Sequence, residues 1–115
     1  MVPILFVRFY CSASGSEPVR EWLAKMGKPN KTTIGLDIKT VQFGWPLGMP
    51  LVRKLDSGLW EVRSDVPEGI ARVLFTVDGG VMVLLHGFIK KSQKTPKDDL
   101  KLAKDRKKEV LNGKA

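Results

Sequence analysis

The chain has 115 residues, 43% of them hydrophobic, and a formal net charge of +8. That length suits one domain with a modest core, and the single Cys11 rules out an internal disulfide and a cysteine-built zinc cluster. Ten basic and four acidic residues fall between 90 and 115, so +6 of the charge sits at the C-terminal end, where it would attract a phosphate polymer or an acidic protein partner.

The N-terminal "MVPILFVRFY" is too short to span a membrane and lacks the basic and small-residue flanks of a signal peptide, so it is expected to form a first strand. "SASGSEP" is a loop in which Ser16 can cap a helix whose first turn accepts Pro18. Val19, Trp22, Leu23 and Met26 recur at helical spacing and define one apolar stripe. "GKPN" interrupts the helix. A second one is predicted over about 31–43, with Ile34, Ile38 and Val41 turned inward, ended by "FGWPLGMP". Trp45 in that loop could stack on a base or join the core.

Three strands follow. "GLWEVRSD" alternates, with Trp60 and Val62 on one face and Glu61 and Arg63 on the other. "IARVLFTV" and "VMVLLHGFI" flank "DGG", a hairpin signal. "TPKDDL" then opens a basic helix over about 95–111. Thr95 is its expected cap, and Asp98 and Asp99 complement the helix dipole. Leu100, Ala103, Val110 and Leu111 make only a thin apolar stripe. The order β-α-α-β-β-β-α describes an α+β domain spanning 1–115: two N-terminal helices on a small antiparallel sheet, with a C-terminal basic helix.

Arg72 lies among apolar neighbours and must either pair with an anion such as Glu61 or hold a phosphate on an open face of the sheet. Arg63, on the preceding strand, can converge with it. Lys90, Lys91 and Lys94 follow where the last strand ends. His86 is the only histidine. A two-residue loop places it opposite Ala71 or Val73, facing away from Arg72, whereas a three-residue loop would bring it opposite Arg72. The commoner two-residue loop implies a structural His86. There is no P-loop, no Gly-x-Ser-x-Gly and no metal-ligand spacing, so no metal or cofactor is expected. Arginines and lysines of this kind suit phosphodiester chemistry, where they neutralise charge developing in the transition state.

"LWEVR", "ARVLF" and "HGFIKKSQKTP", in that order and spacing, resemble the RelE/ParE superfamily of bacterial toxins, most closely its phage-derived HigB-like branch. The resemblance implies a type II toxin with a helix-turn-helix antitoxin as partner, and a cytoplasmic location fits the single cysteine. It also implies a ribosome-dependent, metal-independent mRNA endoribonuclease in which the substrate's 2′-OH attacks the adjacent phosphate and leaves a 2′,3′-cyclic end. By position, Arg72 matches the family's strand arginine at the scissile phosphate, Arg63 a lysine of RelE, and Lys91 a second arginine. Arg63, Arg72 and Lys91 are thus the expected catalytic cations, Lys90, Lys94 and Lys97 the RNA-binding ones, and Glu61 and His86 the candidates for general base. Two features depart from RelE. Glu61 stands where RelE has a lysine, and no aromatic residue follows Phe88 to stack on a base. A ParE-like gyrase inhibitor and a non-catalytic RNA- or protein-binding relative are the alternative readings.

Overall fold

The computed structural model describes residues 2–115 and is built around two ten-residue strands, β4 (Gly69–Asp78) and β5 (Val81–Lys90). Their hairpin turns at Gly79 and Gly80, with φ of +54° and +82°. Positive φ at both central residues gives a turn whose twist matches the flanking strands, and glycine adopts it without steric cost. β3 (Leu59–Val66) and β2 (Val52–Asp56) continue the sheet on one side, and β1 (Phe6–Phe9) closes it on the other, in the order β1-β5-β4-β3-β2.

Two features of the sheet differ from expectation. β1 runs parallel to β5, with Phe6 beside Val81, so the sheet is mixed rather than antiparallel. β2 was not foreseen, because its "VRKLD" lacks an apolar run. It is an edge strand, where charged side chains are common because they discourage pairing with another chain.

The helices α1 (Pro18–Ala24) and α2 (Lys28–Gly44) cover one face of the sheet. Val19, Ile34, Ile38 and Val41 pack there against Val62, Val73, Phe75, Met82 and Leu84, each fully buried aliphatic contributing roughly 1.5–3 kcal/mol. Gly87 lets the Trp22 ring approach β5 closely, since a Cβ there would meet the ring at 2.5 Å. Trp45 sits edge-on to Trp60 and Phe75, with centroids 5.0 and 5.6 Å away, and so belongs to the core.

The basic helix α3 (Lys97–Leu111) lies on the opposite face. Its Ala103 and Val110 pack on Leu59, Leu74, Val83 and Leu85, whereas Leu111 is exposed. With so thin a stripe, polar anchors do much of the holding. Tyr10 Oη donates to Glu109 at 2.9 Å, Arg106 Nη1 to the Leu85 carbonyl at 2.8 Å, and Lys107 Nζ to the Ser57 carbonyl at 2.7 Å. No helix among the described residues is long and apolar enough to cross a membrane.

One irregularity decides the face of His86. The hairpin has the expected two-residue loop, with Asp78 opposite Val81. Between Phe75↔Leu84 and Leu74↔His86, however, the register slips, leaving Leu85 as the extra residue of a β-bulge. The slip reverses the alternation of β5. His86 therefore shares the face of Arg72 instead of turning away from it.

Candidate nucleic-acid interface

The residues singled out in β3 and β4 meet under the turn that joins β5 to α3. Arg63 pairs directly with Arg72 across the ladder, so both point to the α3 face. Glu61, two residues earlier on β3, lies beside them. Its Oε1 accepts from Arg63 Nη1 at 2.6 Å and stands 4.0 Å from Arg72 Nε. Its Oε2 accepts from Thr95 Oγ1 at 2.7 Å. Glu61 is wholly buried and both oxygens are engaged, so it presents no free lone pair to solvent as a base would. The Thr95 hydroxyl is thereby drawn away from the helix, whose N-cap is Pro96 with no side-chain cap bond. Ser16 likewise bonds Glu21 instead of capping α1.

Arg72 is not on an open face. Its exposure is 0%, and the chain after β5 folds back over it. Arg72 Nη1 donates to the Lys94 carbonyl at 2.7 Å, and Nη2 donates to the Ser92 carbonyl. Burial pushes its pKa below the ordinary arginine value; Glu61 opposes that shift and Arg63 and Arg53 add to it. Nη1 and Nη2 are thus engaged by the chain itself, and Nε, though unbonded, is buried away from an outside phosphate in this arrangement.

His86 of β5 meets the first turn of α3, with Nε2 2.6 Å from Asp99 Oδ1, while Lys90 Nζ lies 3.7 Å from Asp99 Oδ2. Asp99 thus does more than complement the helix dipole: it ties α3 to β5. Lys91 is exposed where β5 ends, beyond the Arg63–Arg72 pair.

Lys94 and Lys97 join a different constellation. With Arg53 and Lys54 of β2 they line a groove of about 370 Å³ whose apolar parts are Leu55, Pro96 and Leu100. Four cations and no carboxylate make it a strongly positive cleft beside the sheet edge. Arg53 and Lys54 were missed in the sequence because β2 was missed. The only signal was "DSG" before "LWEV", a turn that implies a strand on its N-terminal side. A second groove, between α2 and β3, has Arg63 and Gln93 on its walls but also Asp37 and Asp65, so it lacks that uniform sign. Among the described residues no group of three or more His, Cys, Asp or Glu side chains could hold a metal ion.

An α+β domain with three helices and a mixed five-stranded sheet is consistent with a RelE-like arrangement. The chain belongs to the family described as phage derived protein Gp49-like (DUF891), whose model matches residues 21–108, a family of the RelE/ParE-like toxin superfamily. No curated protein matches it.

Proposed function

We propose that this chain is the toxin of a type II toxin–antitoxin pair, of the HigB-like kind, and that it arrests translation by binding and cutting mRNA on the ribosome in the cytoplasm. The observation that carries this reading is the groove lined by Arg53, Lys54, Lys94 and Lys97 without a carboxylate. A single-stranded phosphate backbone is the polyanion such a cleft suits, through charge and counterion release. The cleavage needs no metal. The 2′-oxygen bonds to phosphorus, the 5′-oxygen leaves with a proton, and a 2′,3′-cyclic phosphate and a 5′-hydroxyl result. Arg63, which shares Gln93 with Arg53 of the groove, supplies further positive charge, and Lys91 is an additional cation on the exposed end of β5. His86, held by Asp99, is better suited than Glu61 to accept the 2′-OH proton, because Glu61 has both oxygens occupied. A helix-turn-helix antitoxin is the expected partner.

A second reading is favoured by one observation: Arg72, the residue that would hold the scissile phosphate, spends its donors on backbone carbonyls. On this reading the chain binds RNA without cutting it. Expression of the chain alone, with mapping of 2′,3′-cyclic ends on cellular mRNA, separates the two. Growth arrest with new cyclic ends supports the nuclease, arrest without them supports the binder, and unimpaired growth with folded protein removes the toxin reading.

A further inference from the structure

Three arginines from three adjacent strands converge on one short segment. Arg53 of β2 donates through Nη1 to the Gln93 carbonyl at 3.0 Å. Arg63 of β3 donates through Nη2 to the Gln93 side-chain oxygen at 2.9 Å. Arg72 of β4 donates to the carbonyls of Ser92 and Lys94. Each acceptor on this segment is a neutral oxygen of residues 92–94. Among the described residues Glu61 is the one carboxylate within ion-pairing distance of any of the three guanidinium groups, so the cluster carries an excess of positive charge. Arg72 Nε is buried with no hydrogen-bond partner. A site of this kind is over-supplied with donors and under-supplied with negative charge.

We propose that residues 92–95 form a displaceable strap that fills, with its own oxygens, an oxyanion site made by Arg53, Arg63 and Arg72, and that a phosphate chain opens the strap and takes its place. A phosphate group offers the same donors charged oxygens, and charge-assisted bonds to guanidinium are stronger than bonds to neutral carbonyls. Apart from these guanidinium bonds, which a phosphate would replace, little holds the strap. Ser92, Gln93 and Lys94 are exposed on their outer side, so no apolar core has to open with them. One hinge is a single hydroxyl bond, Thr95 to Glu61. Lys90, Lys91, Lys94 and Lys97, on and beside the strap, would draw a polyanion to it. In the strapped state the arginines are shielded, so the strap is also an autoinhibitory contact. This inference rests on the reading above only for the identity of the natural anion, RNA.

The test is nuclear magnetic relaxation of the backbone amides of residues 92–95 in the full chain, with two probes. One is inorganic polyphosphate, which has no bases; the other is a 2′-O-methyl oligoribonucleotide, which cannot be cut. In the free chain these amides should be as rigid as those of β4 and β5, and both probes should make them mobile while the sheet stays unchanged. Thr95→Val, which removes the bond to Glu61 and keeps the side-chain shape, should mobilise the strap without ligand. It should also tighten polyphosphate binding by roughly tenfold, as expected when the competent state no longer has to be drawn from a minor population. Opening by polyphosphate but not by the oligoribonucleotide would keep the strap and remove RNA as its ligand. Tight binding of either probe to a chain whose strap stays rigid with both would overturn the strap and leave RNA binding standing. Failure of both to bind, or a mobile Thr95→Val strap with unchanged affinity, would also overturn it.

Discussion

Arg63 and Arg72 stand directly opposite one another across the β3–β4 ladder, with the Glu61 carboxylate beside both. Like charges in that position repel, and the pairing persists because Glu61 and the strap oxygens take up their donors. Glu61 is therefore the electrostatic keystone of this face.

The first prediction follows from that. Glu61→Gln keeps the shape but leaves two guanidinium groups facing each other without an anion. Removing one partner of a buried ion pair costs roughly 3–5 kcal/mol, so a loss of that order is expected in denaturant unfolding. A variant as stable as the parent would show that the strap carbonyls alone hold the arginines.

Much of this face was legible in the sequence, because alternation alone puts Glu61 and Arg63 opposite in face to Trp60 and Val62. The apolar spacing of Ile34, Ile38 and Val41 likewise marked the buried side of α2, although the helix begins earlier, at Lys28, with Pro29 in its first turn. The position of His86 was not legible. A bulge at Leu85 leaves no mark in composition or periodicity, and it moves every later side chain of β5 to the other face. Nor could the burial of Arg72 be read, since it depends on backbone carbonyls 20 and 22 residues away whose placement is a tertiary outcome.

An arginine on an open face of the sheet, one of the two alternatives for Arg72, could be replaced by alanine with the fold spared. With its side chain fully buried, the substitution instead leaves a cavity and strands the Ser92 and Lys94 carbonyls. A loss of about 2–5 kcal/mol is expected, from the cavity and the unpaired acceptors. Any activity assay on this variant has to be normalised to the folded fraction, which circular dichroism during denaturant titration supplies.

His86 and Asp99 offer a pairwise test. The 2.6 Å bond ties the first turn of α3 to β5, and residues in contact couple by about 0.5–3 kcal/mol in double-mutant cycles. His86→Ala, Asp99→Ala and the double variant should show a coupling within that range in thermal unfolding. His86→Gln should lose stability more than RNA cleavage if the histidine is structural. A stable His86→Gln with no cleavage would identify it as the base.

Tyr10 allows a pH prediction. It is the only tyrosine, and its phenol pKa is raised, first by burial and then by the hydrogen bond to Glu109. A raised folded pKa means the folded chain holds the proton more tightly than the unfolded one. The stabilisation is thus complete below the unfolded value of about 10 and is lost as pH rises through the higher folded value. Phenolate absorbance should appear later in the folded protein than in denaturant, and stability should fall over the same alkaline window. Tyr10→Phe should flatten that fall. An identical alkaline loss in Tyr10→Phe would place its origin elsewhere.

The last prediction separates the basic groove from the basic helix. Lys97 lines the groove with Arg53, Lys54 and Lys94, whereas Lys101, one turn further along α3, is highly exposed and paired with Asp105 at 3.0 Å. If charge alone attracted RNA, the two lysines would be equivalent. If the groove is where the backbone lies, Lys97→Ala should reduce the slope of log affinity against log salt by about 0.7, the value of one phosphate contact on a single strand. Lys101→Ala should leave the slope unchanged and lower affinity only slightly, since an exposed ion pair contributes little. Lys54→Ala, on the opposite wall, should act like Lys97→Ala. Equal slopes for Lys97→Ala and Lys101→Ala, measured with a short oligoribonucleotide between low and moderate salt, would move the contact out of the groove and onto the helix surface.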